Sequence, residues 1–538
     1  MLYGRTARMA LGRTKVNQLN LVTDRYLTLP PKLKRYVDES WAPEFYDQVT
    51  CKINAERFEV LYSDNAATRP STPIEQIVGA LIIKEMFGVT DEELLQNIMT
   101  NITYQYALGL TSAMDISFSE RTFGRFRARL NEYQERTGID LIQQEQEEIA
   151  SRFCGLLGIS GSKKRMDSLM INSRGKYMTR LEIIHVTVAN ALKTLPAEVV
   201  PEDMKHYLES DDRNKVIYHQ KDEELGPKLQ MAIYDAFRTR ELMQEKGLTD
   251  LSEYRILDRM IGEQTTEDDE LKDKKDIEPD SLQNPNDPDA TYRCKAGNHY
   301  HGYTGNVVQS YNEEGAAIIV QADYEQNTYS DSQFMKDYID GKEDSIEEEM
   351  ITDGAYQSAE NDKAAAEAGI NHKATSLTGK KVDPIVTQFE WDEENETVTK
   401  CPNGNEPLRQ STYKNGTTHR IVFDKSQCNK DCPFYEQCHP KEQKDTTVVT
   451  IDTGSIERAK QQERLQSEEY KQAARERNAV EGVPSVLRRR YNVDRIPVFG
   501  KQRSGVFFRF KIMACNVVSL IRHLPKTRGK CAQNEAFA

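Results

Sequence analysis

Lys164-Arg-Met-Asp-Ser-Leu-Met-Ile171 is a short, apolar-rich run bounded by Gly161 and Ser173, and it reads as a β-strand carrying one carboxylate, Asp167. Working outward, Tyr303–Gln309 and Ala316–Asp323 read as two further strands joined by the turn signal Asn312-Glu-Glu-Gly315. Ser330-Asp-Ser332 opens a helix to about residue 340. Glu349-Met-Ile-Thr-Asp353 is a short strand that ends on a second acid. Gln357–Ala368 is an Ala/Glu/Lys-rich helix stopped by Gly369, and Ile370–Thr375 is one more strand. Between the first strand and the second, residues 176–260 are patterned as helix. Glu263–Asp289, with Asn284-Pro-Asn-Asp-Pro288 inside it, is expected to be a loop or mobile insert. No internal repeat is evident.

With the inserts removed, the order is strand, strand, strand, helix, strand, helix, strand, helix. That order predicts an α/β protein with an RNase H-like mixed-sheet core carrying large inserts. In that architecture the first strand lies beside the end of the fourth, and those two positions here carry Asp167 and Asp353. The expected organisation is a helical N-terminal domain over 1–150 and a core over 160–380 and 450–525. A helical and acidic insert spans 176–295, and a Cys-rich insert spans 385–450.

A lone aspartate on a strand is ordinarily a turn or edge residue. Arg477 and Glu481 at i, i+4 are an ordinary solvated helix pair. The order Asp…Asp…Arg-x3-Glu-x6-Arg on this string of elements gives the three acids a joint meaning. Phosphodiester cleavage needs a water made nucleophilic at neutral pH and a leaving alkoxide that is stabilised, and two Mg²⁺ ions about 3.5–4 Å apart do both. Mg²⁺ takes hard oxygen ligands and few protein carboxylates, so three acids from distant positions suffice.

At 538 residues the chain is too long for one core, with a soft prior of roughly 150 residues per unit. The composition, 38% hydrophobic and 29% charged, fits a protein with a well-solvated surface. No apolar run is expected to approach the roughly 18 residues that cross a bilayer. The start, Met1-Leu-Tyr-Gly-Arg-Thr-Ala-Arg-Met9, has no apolar signal region, so the expected compartment is the cytoplasm. The net charge of −14 speaks against a nucleic-acid partner, but the charge is segregated. Glu263–Asp289 holds 11 acidic and 3 basic residues, whereas Ser455–Lys530 holds 18 Lys and Arg against 7 Asp and Glu. An acidic protein with a basic DNA-facing surface is therefore allowed.

Near the N-terminus, Thr72-Pro73-Ile74-Glu75 predicts a cap, a proline at the first helical position and a capping-box Glu, with Gly88 stopping the helix. Thr90-Asp-Glu-Glu93 predicts a second capping box. Ser119 is the expected cap of a third helix, on which Arg121, Arg125 and Arg129 recur at i+4. Three short helices with a basic last one match a helix-turn-helix relative, and equally a helical bundle with a solvated arginine face.

These residues together resemble the bacterial insertion-sequence transposases of the DDE class. The branch concerned has its third acid in Tyr-x2-Arg-x3-Glu-x6-Lys. Arg69-Pro-Ser-Thr-Pro73 through Phe123-Gly-Arg-Phe-Arg-Ala-Arg-Leu130 resembles the helical domain that precedes the core. Met166–Ile171 and Thr352-Asp-Gly-Ala-Tyr356 resemble the first- and second-acid strands. The signature's Tyr falls on Ala474 and its Lys on Arg488. The resemblance implies that Asp167, Asp353 and Glu481 ligate Mg²⁺ or Mn²⁺ and that Arg477 and Arg488 contact DNA near the cleaved end. Implied partners are double-stranded DNA, both element ends and target, and a second copy of the chain. A nucleoid-associated cytoplasmic location follows, with no membrane. Arg489, Arg490 and Lys501, with Arg125 and Arg129 upstream, are further DNA-binding candidates. The alternatives are a nuclease on the same scaffold and a non-catalytic DNA-binding protein, a regulator or a domesticated transposase.

Asp353 and Glu481 are 128 residues apart, and the interval holds Cys401-Pro-Asn-Gly followed by Cys428, Cys432 and Cys438. Four thiols within 38 residues predict a structural Zn²⁺ centre, with His419 or His439 as substitutes for one thiol. The segment is polar, and Trp391 and Phe423 promise little core, so a metal staple is expected to fold it.

Overall fold

The computed structural model describes residues 24–62, 72–110, 112, 116–217, 222–295, 297–342, 346–377, 381–392, 397–413 and 416–524. The Met1–Met9 start, Arg69–Ser71 and Cys531 lie outside these residues. The chain divides into two compact units, Met1–Ser330 with Gly482–Ala538, and Asp331–Glu481. Each mixes helices and strands.

The first unit opens with helices α1 (Pro31–Asp38), α2 (Ala42–Gln48), α3 (Ile74–Phe87), α4 (Asp91–Thr100), α5 (Ile102–Ala107), α6 (Thr122–Thr137) and α7 (Leu141–Leu156). α3 is buried on almost every side, from Ile74 to Met86, so it is a core helix and not an amphipathic surface one. Its cap differs from the expectation. Pro73 itself occupies the cap position, no side chain caps the helix, and the Thr72 hydroxyl donates instead to the Ser117 carbonyl at 3.1 Å. Gly88 does end α3, in the left-handed conformation (φ 66°) that suits glycine. The Thr90/Glu93 capping box on α4 forms as expected, with bonds of 3.1 and 2.8 Å. Ser119 does not cap α6: its hydroxyl meets the Thr122 hydroxyl at 3.0 Å, and Arg121 holds the cap position.

β1 (Lys163–Asn172) contains the run Lys164–Ile171, and Asp167 stands on it opposite Val307. α8 (Arg180–Leu192), α9 (Asp212–Ile217), α10 (Asp222–Glu245) and α11 (Ser252–Gln264) follow, and bury a core of their own around Leu181, Ile184, Val188, Ala236, Leu257 and Met260. Then come β2 (Thr291–Lys295), β3 (Asn298–Tyr311) and β4 (Ala317–Gln326). β3 is antiparallel to β1, to β2 and to β4. Beyond α11 the acidic run is largely the loop expected, with one short turn at Lys274–Asp276, but its end is anchored rather than mobile. Ser281, Asn284 and Asp287 are buried, and Asp287 accepts from the Ser173 and Tyr303 hydroxyls and the Gly500 amide.

The second unit begins with α12 (Asp331–Asp340), β5 (Glu348–Thr352), α13 (Ala359–Glu367) and β6 (Ile370–Ala374), with β5 and β6 parallel. β7 (Glu390–Asp392) and β8 (Thr397–Lys400) form an antiparallel ribbon. A four-stranded sheet combines β9 (Arg409–Thr412), β10 (Thr418–Asp424), β11 (Lys441–Glu442) and β12 (Thr446–Asp452), with α14 (Tyr435–Cys438) before β11. The Cys-rich segment is thus better furnished than its polarity suggested. Phe389, Val398, Ile421, Phe423, Val449 and Ile451 make it a core. α15 (Thr453–Arg464) and α16 (Glu468–Arg489) follow, and the division between the units falls within α16.

α17 (Lys501–His523) returns to the first unit and packs on α3, α7 and β4. By length and composition α17 is apolar enough to cross a membrane, which the sequence reading overlooked. Val506, Phe508, Phe510, Ile512, Met513 and Val517 are all buried in the protein, as in a core helix. Gly305 on β3 admits it: a Cβ there would meet the Phe508 ring at 2.9 Å.

Candidate active site

β5 ends at Thr352, and Asp353 is the next residue, where the chain turns away from the strand. The turn is held by the end of β6. Thr375 donates both its amide and its hydroxyl to the Thr352 carbonyl, each at 2.9 Å, and the Gly354 amide donates to the Ser376 hydroxyl at 3.0 Å. Within the turn the Asp353 carboxylate accepts the Ala355 amide at 2.8 Å. Gly354 is required because a Cβ would lie 2.3 Å from the Ser376 carbonyl oxygen, which is main chain and cannot swing aside. The sequence marked Asp353 as a candidate but gave no sign of the Thr375–Ser376 clamp, which only the parallel pairing of β5 and β6 brings to the turn.

The third acid comes from α16. Arg477 reaches Glu481 one turn along the helix at 2.9 Å, and its other terminal nitrogen lies 3.9 Å from the Asp353 carboxylate. One guanidinium, its side chain only 16% exposed, therefore serves both acids, and Glu481 is the more open at 51%. The Asp353 contact is at the outer limit of an ion pair, so the hydrogen-bonded Glu481 contact is the stronger of the two. In the first unit Asp167 is partly buried on β1, and its carboxylate accepts the Ser168 amide at 3.0 Å.

The basic candidates divide. Arg125 and Arg129 are exposed on α6, with Arg129 over the Tyr62 ring at 4.6 Å. Arg127, on another face of α6, is committed to Asp91 and lies over Phe507 at 5.0 Å. Arg488 is engaged within the protein: it donates to the Met170 carbonyl of β1 at 2.7 Å and pairs with Asp494 at 3.2 Å. Lys501 likewise pairs with Glu325. Arg489 and Arg490 are exposed, the latter 5.6 Å from the Tyr491 ring.

Cys401, Cys428, Cys432 and Cys438 line one small cavity with Phe389, Phe423 and Val449. Burial, then the neighbouring thiols, pushes Cys428 up to about 11 and Cys438 up to about 12. Among the described residues no group of three or more His, Cys, Asp or Glu is placed to hold a metal ion. The four thiols thus line one cavity against an apolar core, and the expected zinc centre is not among the groups so placed. Nor do the expected substitutes close it. His419 is buried on β10 against Trp391, and His439 takes the left-handed position that ends α14.

Two family models match the chain. Residues 37–129 match a transposase domain, DUF772, and residues 400–521 match the transposase DDE domain. Both matched segments are transposase domains, the second of the DDE class. No curated protein matches the chain, and no solved structure does. The DDE match takes in Arg477, Glu481 and Arg488, together with the cysteines of the insert. Asp167 and Asp353 lie outside both matched segments, so neither match bears on them. A transposase DDE domain implies a DNA partner and, generally, a divalent cation, Mg²⁺ or Mn²⁺.

Proposed function

We propose that this transposase cleaves DNA at the ends of its element and joins the freed 3′-hydroxyl to target DNA, using Asp167, Asp353 and Glu481 on an RNase H-like core. The observation that carries the reading is the Arg477 guanidinium shared by Asp353 and Glu481. Carboxylates 128 residues apart in sequence are drawn to one cation. The same pairing is the test of fit for a metal: hard oxygen donors that already share a positive partner suit Mg²⁺ or Mn²⁺. When bound, the ions would activate the attacking water and stabilise the leaving oxygen. Asp353 and Glu481 would hold them together with Asp167. Arg477, whose planar fork matches phosphate as well as carboxylate, would turn to the DNA backbone once the acids have another partner. Double-stranded DNA and a second copy of the chain are the partners, and the cytoplasm is the compartment.

Cleavage of a plasmid carrying the element ends tests the reading. Asp167→Asn, Asp353→Asn and Glu481→Gln should each take Mg²⁺- or Mn²⁺-dependent cleavage below detection and leave DNA binding largely intact, because each removes a ligand and little else. Near wild-type cleavage by any one of the three would remove that residue from the set.

A further inference from the structure

A chain of polar side chains ends at the second acid. The Thr352 hydroxyl donates to the Asp353 main-chain carbonyl at 2.8 Å, and the hydroxyl oxygen itself lies 2.8 Å from Nε2 of His372, which must then donate to it. Nδ1 of His372 faces Asp362 of α13 at 2.8 Å, and the Gln357 amide donates to the other oxygen of that carboxylate at 2.8 Å. The parallel register makes this possible. Met350 is opposite His372 and Thr352 is opposite Ala374, so His372 and Thr352 are diagonal neighbours on one face. The His372 side chain is 2% exposed.

A buried imidazole with both nitrogens bound is held in one orientation, and a carboxylate on one of those nitrogens is the usual means of holding it. The outcome of this arrangement is local. It terminates on the peptide between Asp353 and Gly354, the unit that sets where the Asp353 carboxylate points. An apolar side chain at 372 would fill the same space beside Met350 without the cost of burying polar groups.

We propose that His372, oriented by Asp362, is a positioning residue for Asp353 and acts through the Thr352 hydroxyl. The inference rests on the reading of Asp353 as a metal ligand. His372 touches neither metal nor DNA; it narrows the directions open to the carboxylate before an ion arrives, so that ligand geometry is set in advance.

Direct Mn²⁺ titration of the full-length protein without DNA, followed by electron paramagnetic resonance, tests it on wild type and on His372→Ala, Thr352→Val, Thr352→Ser and Asp353→Asn. Outer-shell substitutions typically weaken metal binding about 10–100-fold, and one acting through a second side chain belongs at the low end, roughly tenfold. His372→Ala and Thr352→Val should both show that loss while their far-ultraviolet spectra stay native. Thr352→Ser keeps the hydroxyl and should bind close to wild type, which a purely packing role for Thr352 does not require. If His372→Ala fails to fold, Thr352→Val, nearly unchanged in volume, still decides the matter. Wild-type Mn²⁺ affinity in a folded Thr352→Val, beside weakened binding in Asp353→Asn, would overturn the positioning role and leave the ligand reading standing. Unchanged binding in Asp353→Asn would overturn both.

Discussion

Gly354 shows how much of the second acid's setting depends on a single missing carbon. Its Cβ would press 2.3 Å from the carbonyl oxygen of Ser376 and 2.8 Å from the carbonyl carbon. Overpacking against main chain costs about 1–3 kcal/mol, and relief here means opening the clamp that Thr375 and Ser376 place on the turn. Gly354→Ala should therefore lower the melting temperature modestly and cleavage far more. Gly124 is the contrast: it sits inside α6 with no atom within 4 Å of an added Cβ. Gly124→Ala should raise stability by up to about 1 kcal/mol, the usual gain of alanine over glycine in a helix. Equal losses of stability and cleavage in Gly354→Ala would show that the turn has no special bearing on the site. The sequence made Asp353-Gly354 conspicuous, yet the reason for the glycine lies 22 residues on, and no local pattern could have supplied it.

The elements that were legible are those with a strong local period. β1, β4, β5 and β6, with α12 and α13 between, fall within a few residues of where alternation, caps and Gly369 placed them. β2 was missed, as were the strands of the four-stranded sheet. Arg409-Gln-Ser-Thr412 is a strand with no apolar residue, made only by pairing with β10. The buried end of the acidic loop was hidden for a related reason. Charge density argues for solvent, but Asp287 is 0% exposed because three donors converge on it from β1's end, β3 and the start of α17. Those bonds also keep the Tyr303 hydroxyl protonated, since burial first and Asp287 second raise its pKa far above the ordinary range. Asp287→Ala would strand buried donors, each costing about 1–3 kcal/mol. The expected result is a loss of several kcal/mol in chemical denaturation, too large for a mobile insert. A change within about 0.5 kcal/mol, typical of a solvated surface position, would restore the reading of a mobile insert.

At the scale of the molecule the question is which of the 18 basic residues between Ser455 and Lys530 face DNA. Charge counting treats them alike, and the structure does not. Arg488 is spent on the Met170 carbonyl and Asp494, and the Lys501 ammonium on Glu325, so both hold the first unit together. Arg489 and Arg490 are exposed at the end of α16, a few residues beyond Glu481. If DNA lies along this end of α16, each phosphate these two neutralise adds about 0.9 to the slope of log affinity against log salt. Arg489→Gln with Arg490→Gln should then lower the slope by about two while leaving the melting temperature nearly unchanged. Arg488→Gln should do the reverse. It removes the donor to β1 and so lowers stability by about 1 kcal/mol after allowance for partial exposure, with little effect on the slope. Binding isotherms across a range of salt, paired with thermal melts of the same proteins, separate the two kinds of arginine. A slope that falls with Arg488→Gln and not with the double substitution would invert the assignment. Arg488 would then have to leave Met170 and Asp494 when DNA binds, and the exposed pair would be no more than a solvated helix end.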